Sequence, residues 1–142
     1  DGLPVKSGGI EKMSKSKNNV VEPSAIIGKF GADTARAFVM FAGPPDQSAA
    51  WSNSGAEGTF RFMRRLWNFG FTHQDVIKEN VKLDVAKLNH EEKAVRRDIY
   101  TALKQAEFDL DRMQYNTVVS AAMKMLNSLD TLRTTHPKAH AP

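Results

Sequence analysis

Apolar residues recur at helical spacing along most of the chain beyond residue 22. The clearest example follows Ser52 and Asn53, either of which can cap the start of a helix. Two neighbouring apolar stripes run along it, one of Ala56, Phe60, Met63, Trp67 and Phe71, and one of Phe62, Leu66 and Phe69. Because two stripes need partners on two sides, this pattern predicts a central helix of a helical bundle.

Two shorter helices are predicted before this central one. Pro23 is well placed as the first residue of a helix over residues 24–30, and Gly31 is suited to ending it. Asp33 favours the start of a second helix, since a carboxylate in the first turn meets the positive end of the helix dipole. That helix is predicted to run to about Ala42, before the Pro44-Pro45 pair.

The second half of the chain predicts two long helices after a connecting loop over residues 79–88. Asn89 and Glu92 have the spacing of a capping box, which marks the start of the fourth helix. The fifth follows an irregular turn near Gln114. The residues expected to be buried across the bundle are Phe60, Met63, Trp67, Val95, Ile99, Leu103, Val119 and Leu126.

Composition limits the classes of function that remain. The chain has 142 residues, 41% of them hydrophobic and 25% charged, which is enough for one core. It has no cysteine, so disulfides and thiolate metal sites are excluded. No apolar run approaches the length of a membrane span. The net charge of +4 is compatible with an RNA partner without requiring one.

The first twenty-odd residues differ from the rest because they are rich in Gly, Ser and Lys. Within them, residues 12–16 read Lys-Met-Ser-Lys-Ser and are followed by Lys17. Two ammonium groups three residues apart, with small hydroxyl residues at positions 14 and 16, are suited to gripping a polyphosphate. In isolation, such a run is more often a solvated basic loop. The flanking residues are therefore needed to distinguish a phosphate-binding loop from a solvated one.

Those flanks resemble the signature loop of class I aminoacyl-tRNA synthetases. The resemblance rests on Glu11 to Asn19, Glu22-Pro23 and Gly31 to Arg36. Further segments resemble the leucyl branch of the family, namely Met40 to Pro45, Trp51-Ser52, Arg61 to Trp67, Tyr115 to Met123 and Met125 to Asn127. The likeness covers nearly the whole chain. One departure is Val20, which stands where many leucyl members have a glycine.

The resemblance implies a mainly α fold, an anticodon-binding-type helical bundle preceded by an irregular loop segment. The expected division is the end of a catalytic domain over residues 1–22, the helical domain over 23–134, and a frayed tail over 135–142. The tail contains His136 and His140, but Pro137 and the lack of a third ligand argue against a metal site.

The implied activity is that of a leucine–tRNA ligase, with ATP and leucine as substrates, tRNA(Leu) as partner and Mg²⁺ accompanying ATP. Lys15 and Lys12 are the expected catalytic residues, and ATP binding is expected from Lys12, Met13, Ser14, Lys15 and Ser16. No metal site is expected within the chain. The expected setting is a monomer in the cytoplasm, without membrane attachment. Because the chain is too short for a complete synthetase, the isolated 142 residues are expected to be inactive.

Alternative interpretations stay open at this point. The same loop occurs in valyl, isoleucyl and methionyl enzymes, and a noncatalytic RNA-binding helical module could carry it too. Arg61, Arg64 and Arg65 are candidates for tRNA contact, although exposed arginines on a helix more often form a solvated edge or intramolecular ion pairs.

Overall fold

The computed structural model describes residues 9–79 and 82–135, with the side chains of residues 133–135 left aside. This part of the chain contains six α helices and no strand. They are α1 (Pro23–Phe30), α2 (Ala32–Ala42), α3 (Asn53–Thr72), α4 (Gln74–Glu79), α5 (His90–Asp111) and α6 (Tyr115–Thr135). Two short 3-10 turns occupy Lys15–Lys17 and Val85–Lys87. The predicted mainly α fold is confirmed.

The helix starts follow the capping chemistry of the sequence. Ser52 caps α3, because its hydroxyl accepts a hydrogen bond from the backbone N–H of Gly55 at 3.0 Å. At α5 both halves of the capping box form, since Asn89 accepts from the Glu92 N–H and Glu92 accepts from the Asn89 N–H. Each pair satisfies backbone donors that a helix leaves without partners in its first turn.

The helices form two packed groups that meet at α6. The first comprises α1, α2 and α3, which contact one another, and the second is the antiparallel pair of α5 and α6. Since α6 also packs on α2, it is the element that joins the groups. The buried residues are Thr34, Phe38, Ala56, Thr59, Phe62, Ala106, Asp109, Ala121 and Leu126.

Gly55 sets the close approach of α2 and α3. A Cβ atom built there would lie 2.8 Å from a ring carbon of Phe38. The Phe38 ring is 5% exposed and packs edge-on against Trp51, with the ring centroids 5.0 Å apart. Because that ring is held on two sides, the crossing accepts only glycine without movement.

Two residues expected in the core are on the surface. Trp67 is 75% exposed and Leu103 is 50% exposed, so both predictions of burial were wrong. For Trp67 the reason is that α3 is longer than the surface that covers it, and in α5 the buried positions are Ala106 and Asp109 instead of Leu103. In α3 the buried positions are Ala56, Thr59 and Phe62, all in its first half.

Of the other expected core residues, Leu126 is buried, whereas Phe60, Met63, Val95, Ile99 and Val119 are only partly buried. The short helix α4 was also not predicted. The expected frayed tail lies outside the described residues from residue 136 onwards.

Candidate functional site

The signature loop, residues 11–19, is an ordered turn. Ser14 precedes the 3-10 turn of Lys15–Lys17, and backbone hydrogen bonds of 3.1 Å join the Lys17 N–H to the Ser14 carbonyl and the Asn18 N–H to the Lys15 carbonyl. Asn18 ends the turn in the left-handed conformation, with a φ of 50°. Asparagine is one of the few residues other than glycine that adopts this conformation readily.

Asn19 closes the loop through its side-chain amide. Its Oδ1 accepts a hydrogen bond from the backbone N–H of Ser14 at 2.8 Å, and its Nδ2 donates to the carbonyl of Lys12 at 3.4 Å. A further 3.2 Å contact joins the hydroxyls of Ser14 and Ser16. One side chain therefore fixes the backbone between the two lysines that were predicted to act on ATP.

The three lysines of the loop are not equivalent. Lys17 Nζ lies 2.8 Å from Glu11 Oε2 and forms an ion pair with it. Lys12 and Lys15 are exposed, and neither pairs with a carboxylate among residues 9–79 and 82–132. Their ammonium groups remain available to an anionic ligand, while the charge of Lys17 is balanced within the loop.

The other predicted loop residues lie at the surface beside these lysines. Met13 is 40% exposed, Ser16 is exposed and Ser14 is partly buried. The structure thus brings all five predicted ATP-binding residues into one solvent-facing turn. An open, cationic turn of this kind can receive the phosphates of a nucleotide that is held elsewhere.

The three arginines of α3 have different surroundings. Arg65 Nη2 donates to Asp130 Oδ2 at 2.6 Å and to Asn127 Oδ1 at 2.8 Å, and so links α3 to α6. The guanidinium of Arg64 lies over the Phe60 ring, 5.8 Å from its centroid. Arg61 is exposed. The predicted tRNA-contact cluster therefore includes one residue that is engaged in holding the bundle together.

Sequence reasoning missed the roles of Asn19 and Glu11. Both residues belong to the segment that carries the family resemblance, but no structural role was predicted for either of them. A physical signal was available, since asparagine beside a tight turn commonly bonds to nearby backbone groups. The pairing of Lys17 with Glu11 could not be predicted in the same way, because the distance between residues six positions apart is not fixed in an irregular loop.

The described residues lack the features of a metal site and of a membrane span. No group of three or more His, Cys, Asp or Glu residues there is arranged to hold a metal ion. His136 and His140 lie outside those residues. No helix within the same residues combines the length and the apolar character needed to cross a bilayer.

Residues 1–52, which include the loop, match the family described as tRNA synthetases class I (I, L, M and V). Similarity to individual proteins extends over nearly the whole chain. It is 57% identical over 137 residues, or 96% of its length, to the leucine–tRNA ligase of Paraburkholderia xenovorans. It is 58% identical over 130 residues to the leucine–tRNA ligase of Burkholderia multivorans. Over almost its whole length the chain is therefore similar to class I tRNA synthetases.

The chain spans only a small part of those relatives, 16% of the first and 15% of the second. Its fold is similar to part of a crystal structure of the ternary complex of Agrobacterium radiobacter K84 agnB2 LeuRS-tRNA-LeuAMS. The TM-score is 0.72 at 24% identity, covering 87% of this chain and 16% of that one. At that identity the likeness shows the fold, which agrees with the helical bundle expected from the sequence.

Proposed function

We propose that the chain is the signature-loop and helical-domain segment of a leucine–tRNA ligase. The leucyl assignment is supported by 57–58% identity to leucine–tRNA ligases over most of the chain. The single structural observation that carries the proposal is the loop, where Lys12 and Lys15 have no carboxylate partner among the described residues and lie on a turn that Asn19 holds closed. The proposed setting is a monomeric enzyme of the cytoplasm.

The proposed reaction has two steps. A carboxylate oxygen of leucine attacks the α-phosphorus of ATP, the bond from that phosphorus to the bridging oxygen breaks, and pyrophosphate leaves with the electron pair. The leucyl group then passes to the 2′-hydroxyl of the terminal adenosine of tRNA(Leu), and AMP leaves. Negative charge builds on the pyrophosphate in the first step, so cations aimed at it act mainly in the transition state.

Within this scheme Lys15 is the principal cation and Lys12 assists it. Lys15 is the first residue of the 3-10 turn, and Lys12 lies just before it, with its carbonyl bonded to Asn19. Ser14 and Ser16 offer hydroxyl donors to the phosphates, and Met13 lies between the two lysines in the same exposed turn. Lys17 contributes least, because Glu11 already compensates its charge.

Mg²⁺ would accompany ATP, but the described residues of this chain do not fit a site for it. The carboxylate nearest to the lysines along the loop is Glu11, and it is bound to Lys17. No other acidic group in the described loop is available to supply the oxygen ligands that Mg²⁺ requires. The proposed role of the chain therefore rests on its lysines and serines rather than on a metal ion.

We also propose that residues 1–22 close the catalytic domain and residues 23–134 belong to the helical domain. This division is supported by the change from irregular backbone to continuous helices at Pro23. Arg61 and Arg64 stay candidates for contact with the tRNA backbone, whereas Arg65 has a competing partner in Asp130.

The proposal is tested by exchanging the corresponding segment of a relative for this chain. The matching segment of the Paraburkholderia xenovorans leucine–tRNA ligase is replaced by residues 1–142, giving a protein here called the chimera. We expect the chimera to catalyse leucine-dependent exchange of pyrophosphate with ATP and to charge tRNA(Leu), and we expect the isolated 142 residues to do neither. A chimera that folds, as judged by circular dichroism and thermal unfolding, but lacks both activities would contradict the proposal.

A further inference from the structure

We propose that one face of α5 binds the phosphate backbone of the tRNA, an inference that rests on the proposed function. The face consists of Lys93, Arg96, Arg97, Tyr100 and Lys104 and is here called the α5 basic face. These residues line one shallow depression together with Val85 and Thr101. It lies on a different helix from Arg61, Arg64 and Arg65, the tRNA-contact candidates predicted from the sequence.

Helical geometry places these cations in a row. Lys93, Arg97, Tyr100 and Lys104 follow one another in steps of four, three and four, which keeps them on one side of the helix. The eleven steps from Lys93 to Lys104, at a rise of about 1.5 Å each, give the row a length of about 16 Å. Arg96 lies beside it, with its guanidinium over the Tyr100 ring at 4.5 Å from the centroid.

The positive charge of this face is not neutralised by its neighbours. None of the four cations has a carboxylate oxygen within 4.0 Å among the described residues. Three of the six carboxylates of α5 have other positions: Glu92 completes the capping box, while Asp98 and Asp109 line the groove between α5 and α6. Asp109 is buried and accepts a hydrogen bond from Gln105 at 2.9 Å.

The composition of the face favours an RNA backbone over other anions. Arginine offers two parallel donors that match a phosphate group, and lysine supplies point charges for further phosphates along the strand. Tyr100 is 57% exposed and adds a hydroxyl and an aromatic ring next to a cation, both of which serve contact with sugar and phosphate. The face is shallow and offers no specific pocket for a base, so contact without sequence readout is expected.

The test compares two pairs of substitutions in the chimera that remove equal charge. The first pair, Arg97→Gln with Lys104→Gln, removes two cations of the α5 basic face. The control pair, Lys78→Gln with Lys124→Gln, removes two exposed cations from α4 and α6. The dissociation constant for labelled tRNA(Leu) is measured by fluorescence anisotropy at several salt concentrations, and pyrophosphate exchange is measured on the same samples.

For the first pair we expect the slope of log K against log salt to become shallower by about 2, with affinity at 0.1 M salt lower on the order of 10-fold. The control pair should change the slope by much less, and exchange should be unaffected by either pair. Equal slopes for the two pairs would overturn the inference. If the first pair binds tRNA normally but no longer binds polyglutamate, the inference is overturned, because the face would then suit an acidic protein and not RNA. Absence of exchange in the unsubstituted chimera would count instead against the proposed function.

Discussion

The signature loop and the α5 basic face are two cationic regions built in different ways. In the loop, the cations lie within six residues of one another, and hydrogen bonds from Asn19 fix the backbone between them. On α5 the cations are spread over twelve residues, and only the helix brings them to one side. The first suits one small polyanion, and the second is a row that suits an extended one.

This difference explains why only one of the two regions was visible in the sequence. Residues 72–142 hold eleven Lys or Arg against ten Asp or Glu, so a count of charges finds no excess there. In the fold, Asp98 and Asp109 line the groove toward α6, whereas four cations line a separate depression on α5. Charge distribution on a helix is therefore more informative than the net charge of a segment.

The largest expected effect belongs to Lys15. In the chimera, Lys15→Ala should lower the single-turnover rate of leucyl-adenylate formation on the order of 10² to 10³, because a preorganised donor to developing charge is lost. Leucine affinity should change much less, since the ammonium acts on the phosphates. Lys12→Ala should have a smaller effect. A near-normal rate for the Lys15 variant would contradict the role given to the loop.

A smaller effect is expected from Asn19, which touches no ligand in the proposal. Asn19→Ala removes the bonds to Ser14 and Lys12, and the loss of one or two hydrogen bonds at about 1 kcal/mol each corresponds to roughly a 10-fold lower rate. The matched control is Asn18→Gly, because glycine adopts the left-handed conformation of Asn18 at no steric cost. Stopped-flow measurement of adenylate formation should separate the two variants. Equal rates would show that Asn19 does not organise the lysines.

Arg65→Ala should affect stability more than tRNA affinity. The ion pair with Asp130 is partly exposed, so its loss should cost only about 0.5 kcal/mol, visible as a small decrease in Tm of the chimera. The tRNA dissociation constant should change less than for the Arg97 and Lys104 pair. If Arg65→Ala weakened tRNA binding as strongly as that pair, the contrast drawn between α3 and α5 would be wrong.

The smallest effect is expected for Lys17, whose charge Glu11 compensates. Lys17→Ala should leave the rate of adenylate formation within about two-fold, because only an exposed ion pair is lost. The double variant Lys17→Ala with Glu11→Ala serves as the control for an uncompensated carboxylate. A loss comparable to that of Lys15→Ala would show that Lys17 also reaches the phosphates.

Local chemistry carried most of what could be predicted of the fold. The Ser52 cap and the Asn89–Glu92 capping box were read correctly, because each depends on residues within three positions. Burial was predicted less well, as Trp67 and Leu103 show, since periodicity identifies an apolar face but not the element that covers it. Thr59 illustrates the converse: this polar residue is buried, and its hydroxyl is satisfied by donating to the Gly55 carbonyl within the same helix.

The candidate site shows the same limit. The positions of Lys12 and Lys15 followed from a contiguous motif, whereas the function of Asn19 depends on contacts five and seven residues away in a loop without regular geometry. The α5 basic face could be recognised only once the helix and the positions of its carboxylates were known. Neither can be deduced from spacing alone.

The central claim is that the loop and α5 serve different anions, and one side-by-side measurement tests it. The single-turnover rate of leucyl-adenylate formation is measured for Lys15→Ala and for the Arg97 and Lys104 pair in the chimera. The loop variant should lose a factor on the order of 10² to 10³, and the α5 pair should stay within about two-fold of the unsubstituted protein. Similar losses in the two variants, or a loss confined to the α5 pair, would contradict the account.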